Sequence, residues 1–303
     1  MIFAWLGLVL VSLIGLVVAS RSAIDHAQAL AFGTKIPPFL IGITLMSVGT
    51  DLPEIANSIV ASVGGHGDIN VGDSIGSAVT QMTLVLGLLP WLAPPIDVSR
   101  KRVLVVCGAC VAALLGGAWF VSDGYLARVE AAALLSWWVF GSVLIWKGTG
   151  PIAEPALPVP ARKPLLNTLS LFGALIAVTI SASALVFAFV RLSEAVGIPE
   201  YLLTFFVASI GTSLPELFVD VTALRRGLKD MALGDILGSS FVDATLSLGI
   251  GPLIAPTAVT AALAVRGAWV GAAAVALVAF VLVTRRQHNR LSGLMLIAVY
   301  VGV

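Results

Sequence analysis

The run Gly49-Thr50-Asp51-Leu52-Pro53-Glu54 returns 162 positions later as Gly211-Thr212-Ser213-Leu214-Pro215-Glu216, and the register between these copies decides how the chain is organised. Residues 37–87 align on 199–249 without a gap. Pro37 meets Pro199, Ser47 meets Ser209, Asp68 meets Asp230, and Gly72-Asp73 meets Gly234-Asp235. Further on, Gly76-Ser77 meets Gly238-Ser239, and Leu84, Leu86 and Gly87 meet Leu246, Leu248 and Gly249. Apolar composition alone does not put Gly, Pro, Asp and Glu in common register, so the chain carries an internal repeat.

Outside the motifs the chain is apolar: 59% of its 303 residues are hydrophobic and 11% are charged, with a mean hydropathy of +1.05. That charge is too sparse to cover a water-soluble domain of this size. The apolar residues fall in blocks of about 18 to 25, the length that crosses about 30 Å of hydrocarbon as a helix. Ten spans are predicted, at 2–20, 37–61, 71–92, 103–121, 125–146, 165–190, 199–224, 231–255, 262–283 and 291–303. The first opens Met1-Ile2-Phe3-Ala4-Trp5 without a basic stretch and reads as a retained helix. A net charge of +1 gives no reason to expect a nucleic-acid partner.

Orientation follows from the basic residues. Arg21, Lys35, Arg100, Lys101, Arg102, Lys147, Arg162, Lys163, Arg225, Arg226, Lys229, Arg285, Arg286 and Arg290 all fall in odd-numbered connections. Only Arg128, Arg191 and Arg266 fall on the other side. Both termini are therefore expected outside a cell membrane. A repeat displaced by five spans crosses the membrane in the opposite sense, so the halves are inverted, as in many secondary transporters. The expected organisation is a five-helix repeat over 1–146, a Pro-rich cytoplasmic linker over 147–164, and a second, inverted five-helix repeat over 165–303.

A carboxylate in mid-membrane needs a partner or a wet cavity. The helices carrying Glu54 and Glu216 offer no nearby basic residue, which points to a cation. Pro53 and Pro215 have no N–H for the carbonyls of Gly49 and Gly211, so each motif is expected to break its helix and free carbonyl oxygens beside a glutamate. Ser77 and Gln81, and Ser239 and Asp243, lie four residues apart on one helix face and add oxygens. With Thr50, Asp51, Thr212 and Ser213 they form a set of hard oxygen ligands suited to Ca²⁺ or Na⁺. No Cys or His joins them.

GTDLPE at 49–54 with GDSIGSAVTQ at 72–81, and GTSLPE at 211–216 with GDILGSSFVD at 234–243, resemble the paired alpha repeats of the Ca²⁺/cation antiporter superfamily, nearest its prokaryotic sodium/calcium exchangers. The resemblance implies an all-α membrane fold of ten helices in two inverted sets of five, with helices 2, 3, 7 and 8 holding the ions. It implies that Glu54, Glu216 and the carbonyls of Thr50 and Thr212 bind Ca²⁺. It further implies flanking Na⁺ sites from Ser77, Ser213, Ser239, Glu54, Glu216 and Asp243, with main-chain oxygens near Ser47 and Ser209. Helices 1 and 6 would move past this core to alternate access. Two positions depart from the pattern: Asp51 stands where these exchangers usually carry Ser, and Gln81 replaces Asn. Four carboxylates in one cavity repel one another unless one or two bind protons, so Asp51 leaves the counter-ion open between Na⁺ and H⁺. The ions are cargo; no resident cofactor is expected.

Other features have plainer readings. Asp73 and Asp235 sit early in their helices, where capping or a structural bond accounts for them. Asp220 either lines an inner vestibule or reaches the interface. His26, His66 and His288 fall in predicted loops and read as solvated; Trp5, Trp91, Trp119 and Trp146 sit near span ends as an aromatic belt. Cys107 and Cys110 read as two small apolar residues on a helix. The Gly-Asp pairs at 72–73 and 234–235 also bear on an intramembrane aspartyl protease, but Asn70 and Ala232 occupy the position of that motif's first Gly. A cation channel could use the same oxygens.

Overall fold

Helices follow the repeat's register almost residue for residue. The computed structural model describes residues 2–34, 36–149, 164–196, 209–285 and 287–303. In chain order its helices are α1 (Ile2–Thr34), α2 (Pro38–Ile41), α3 (Ser47–Thr50), α4 (Leu52–Val63), α5 (Gly67–Thr80), α6 (Leu86–Leu92), α7 (Arg100–Phe120) and α8 (Arg128–Thr149). They continue as α9 (Pro164–Val196), α10 (Ser209–Thr212), α11 (Leu214–Arg225), α12 (Lys229–Val242), α13 (Leu248–Ile254), α14 (Ala261–Arg285) and α15 (Arg290–Gly302). One π-helical turn joins α2 to α3 at Gly42–Met46, and others stand at Gln81–Val85 and Asp243–Ser247. Shifted by the repeat offset, α3 to α6 become α10 to α13 with identical limits.

The local chemistry explains this agreement. Asp51 (φ −78°, ψ 9°) and Ser213 (φ −83°, ψ 5°) take the same conformation between helices, each two residues before the motif's proline. The first break bends its helix pair by 45°. Gly65 (φ 76°) and Gly227 (φ 81°) close the next helix in the left-handed region that only glycine enters cheaply. Matching bonds surround them: Gly65 N–H donates to the Ser62 carbonyl as Gly227 does to Leu224, and His66 to Ala61 as Leu228 to Ala223.

Among the described residues, six helices are long and apolar enough to cross a membrane, or seven if the pair broken at Asp51 counts once. Leu165–Ser181 and Arg290–Gly302 are apolar but shorter. All ten predicted spans meet helix, with residues 199–208 of the seventh, and most of the 147–164 linker, outside the described residues. Trp91, Trp119 and Trp146 are exposed near helix ends, as a belt requires.

The helices pack as two units, Met1–Pro53 with Ile152–Asp235 and Glu54–Pro151 with Ile236–Val303, each drawing on both sides of the repeat. In the first unit α1 lies along α9, with the Trp5 ring edge-on to Phe187 at 5.6 Å and Arg226 paired with Asp25. Here the α2 and α12 backbones touch. A Cβ on Gly42 would stand 2.2 Å from the Met231 oxygen, and one on Gly234 would stand 2.3 Å from that of Phe39. In the second unit α7 packs on α14, α6 on α15 and α8 on α13. Two short antiparallel ribbons, Ile96–Asp97 with Gln287–His288 and Tyr125–Leu126 with Thr257–Ala258, tie helix ends together there.

Three expectations are corrected. His26 lies on α1, because that helix runs on to Thr34 instead of ending near residue 20. Arg102, counted among loop charges, is buried within α7. His288 is buried: the ribbon beside α15 draws it inward, where its ring bonds the Leu86 carbonyl at 2.7 Å and the Ser292 hydroxyl at 2.9 Å.

Two outcomes follow. Gly234→Ala drives a methyl into backbone and should cost about 1–3 kcal/mol, as overpacking does. Its repeat partner Gly72 faces open space, so Gly72→Ala should stay within about 0.5 kcal/mol. Thermal melting of the two purified variants compares them. Burial lowers the His288 pKa from its ordinary 6.5, so the unfolded chain takes up this proton first as pH falls. Stability carried by neutral His288 is full above 6.5 and is lost as pH falls through the lowered folded value. Melting scans between about pH 5 and 7.5 should show a shallower acid slope in His288→Gln than in the native chain.

Candidate cation-binding site

In the first unit the broken helices bring acid groups together. Thr50 is the last residue of α3 and Asp51 occupies the break. Glu216 stands in the first turn of α11, and all three are almost wholly buried. An oxygen of Asp51 and one of Glu216 lie within 4.8 Å, an arrangement that can hold a metal ion. The Thr50 hydroxyl is held over the turn by the Met46 carbonyl at 3.1 Å and reaches Asp235 Oδ1 at 3.5 Å. Gly49 is required here by close packing, since a Cβ would stand 2.3 Å from Leu175 Cδ1.

Several expected ligands use their hydroxyls locally. Ser47 donates to the Ile43 carbonyl at 2.9 Å, while Ser213 and Thr212 donate to that of Ser209 at 3.0 and 3.4 Å. The carbonyls of Ser47 and Ser209 accept in turn from the Asp51 and Ser213 N–H groups, at 3.0 and 3.4 Å.

The second unit holds the remaining predicted residues. Glu54, in the first turn of α4 three residues beyond Asp51, is 1% exposed. Ser77, Ser239, Gln81 and Asp243 are all buried. Gln81 and Asp243 each open a π-helical turn, a local widening that re-aims side chains and recurs at functional sites. Ser240, which sequence reasoning missed, donates to Gln81 Oε1 at 3.3 Å. Its only signal is the Ser239-Ser240 doublet, and its repeat counterpart Ala78 conceals it from a symmetry argument. Cys107 and Cys110 are buried and unbridged, and the Cys110 thiol touches the Ser240 carbonyl at 3.4 Å.

The two Gly-Asp aspartates do not cap helices. Each is the seventh residue of its helix, beyond the unpaired N–H groups of the first turn. Asp73 instead accepts a 2.6 Å bond from the Asn57 amide. Asp235 meets Thr50 and lies within hydrogen-bond reach of the Asp220 carboxyl. Asp220 is fully buried, so the interfacial reading fails. Asp68, in the first turn of α5, reaches outside its own helix and accepts from the Thr260 N–H and hydroxyl at 2.5 and 2.6 Å.

The model of the family described as sodium/calcium exchanger protein matches residues 4–147 and 166–303. The chain belongs to the sodium/calcium exchanger family. A protein of Alkalimonas amylolytica named antiporter CaxA is 32% identical over 97% of the chain and 95% of its own length. Sodium/calcium exchanger MaX1 of Methanosarcina acetivorans is 24% identical over 83% of each. A solved structure of the sodium-calcium exchanger NCX_Mj, soaked with Na⁺ and Sr²⁺, superposes with a TM-score of 0.81 at 27% identity, covering 99% of this chain and 97% of that one. This exchanger is thus an all-α, multi-pass membrane cation antiporter, and the protease reading is set aside.

The Asn57–Asp73 bond provides a test of local order. Asn57→Ala leaves a half-buried carboxylate without its donor and should cost this exchanger about 1 kcal/mol or more in thermal or denaturant unfolding. The exchanged pair Asn57→Asp with Asp73→Asn restores donor and acceptor and should recover most of the loss.

Proposed function

We propose that this exchanger moves Ca²⁺ against Na⁺ across the cell membrane by alternating access, with both termini outside. The observation that carries the reading is the meeting of two buried carboxylates, Asp51 and Glu216, at a helix break beside Thr50. Acidic oxygens held this close in an apolar surround repel each other, and a hard cation relieves the repulsion and replaces its own hydration shell with their oxygens. Glu54, on the same broken helix as Asp51, supplies the partner glutamate of the repeat. The carbonyls of Thr50 and Thr212 add main-chain oxygens.

Ser77, Ser213, Ser239 and Asp243, with main-chain oxygens near Ser47 and Ser209, form the flanking Na⁺ positions in this reading, and Gln81 orients them. Ca²⁺ and Na⁺ then compete for shared carboxylates. An empty cavity keeps its negative charge and resists crossing apolar surroundings, so transport in one direction requires a cation in the other. The names of the relatives, two of them antiporter or sodium/calcium exchanger, support the same pairing of ions.

Asp51 favours a second reading, H⁺ as the counter-ion. Where the pattern has Ser, this chain adds an acid directly beside Glu216, and a proton on either would relieve their repulsion.

Glu54→Gln and Glu216→Gln should each lower Ca²⁺ uptake into liposomes at least about a hundredfold, because removing one charge from a buried pair costs about 3 kcal/mol or more. Near-native uptake in either would remove the central claim. Uptake driven by an outward Na⁺ gradient at equal pH selects the Na⁺ reading. Uptake driven only by a pH gradient, and lost in Asp51→Ser, selects H⁺.

A further inference from the structure

One turn beyond Glu216 on α11, Asp220 comes within hydrogen-bond reach of Asp235 on α12, and both are 0% exposed. Among the described residues no donor reaches either oxygen of Asp220, or Oδ2 of Asp235. The single hydroxyl at hand, that of Thr50, meets the other Asp235 oxygen at 3.5 Å. The matching positions of the other half are built differently. Ser58 stands where Asp220 does, so Asp73 meets no second carboxylate there; one of its oxygens accepts from the Asn57 amide at 2.6 Å and the other has no donor among the described residues. The second half replaces that amide with Val219 and turns a second carboxylate toward the first.

A shared proton would join one oxygen of each acid and still leave the other Asp220 oxygen without a partner. A hard cation takes six to eight oxygens at once and engages all three donorless oxygens together. Two carboxylates also balance the charge of one divalent ion. The backbone holds Asp235 in place, because α12 packs directly on the Gly42 turn. Asp220 follows Glu216 by four residues, which sets the two acids on one face of α11.

We propose that Asp220 and Asp235 form a second divalent-cation site, separate from the Asp51–Glu216 carboxylates and placed toward the Arg225–Arg226 end of α11, where an ion is held before it passes to or after it leaves Glu216. The proposal needs only the first unit's geometry and does not depend on the counter-ion.

The test is equilibrium binding of Ca²⁺ alone to the full-length purified exchanger, with no Na⁺ present. The native chain should bind two Ca²⁺ per chain, and Asp220→Asn should bind one fewer, as should Asp220→Ser, which installs the residue of the other half. Asp235→Asn, kept monodisperse and with native helix content, should lose the same ion. Glu216→Gln should lose the other ion and keep the Asp220 ion, which separates this proposal from the transport reading. Equal stoichiometry in the native chain, Asp220→Asn and Asp220→Ser would overturn the second site. So would a single native ion that disappears entirely in Glu216→Gln, a result that leaves the proposed exchange intact.

Discussion

A carboxylate surrounded by hydrocarbon is the constraint on which the rest of this structure depends. Glu54, Glu216, Asp220, Asp235 and Asp243 are buried in a chain whose surface is largely apolar. Each would be prohibitively costly as an isolated charge. The fold answers by interrupting its helices where the acids stand. Both GTxLPE motifs break in the same backbone conformation, and π-helical turns begin at Gln81 and Asp243. Irregular backbone at such depth is tolerated only inside protein or along a cavity, and both kinds of irregularity occur at buried positions here.

The glycines express the same constraint sterically. Gly42, Gly49 and Gly234 stand where a neighbour approaches closer than any Cβ allows, two of them against backbone and one against Leu175. In a membrane, where lipid offers no hydrophobic drive for helices to associate, such contacts supply dispersion energy that larger side chains would prevent. They also fix the helices that carry Thr50 and Asp235, so those oxygens are preorganised.

Symmetry in the backbone coexists with asymmetry in charge. Helix limits, both helix breaks, two π-helical turns and two left-handed glycines repeat at one offset. Side chains at matched positions diverge: Asp51 corresponds to Ser213, Gln81 to Asp243, Ser58 to Asp220, and Asn57 to Val219. Two halves that share a scaffold can exchange conformations, while unequal charge lets each treat the ions differently. Within the first unit this places Asp51 by Glu216 and Asp220 by Asp235, two acid pairs one helical turn apart.

The repeated GTxLPE run, the apolar blocks and the spacing of Gly, Pro and charge were enough to read the membrane class, the inverted repeat, most helix limits and the burial of Glu54 and Glu216. Those properties are encoded within a few residues of chain, by a proline without a donor, a glycine at positive φ or a run of about 20 apolar residues. What tertiary structure alone decided is who meets whom. Asp235 meets Thr50 and Asp220, His288 folds in against Leu86, and Ser240 finds Gln81, across separations of 185, 202 and 159 residues for the bonds to Thr50, Leu86 and Gln81. Local rules assigned Asp235 to a cap or a structural bond of unnamed partner and His288 to solvent, because each rule weighs only neighbours in sequence. Close packing of distant helices determines which donor a buried acid receives, and no local pattern carries that information.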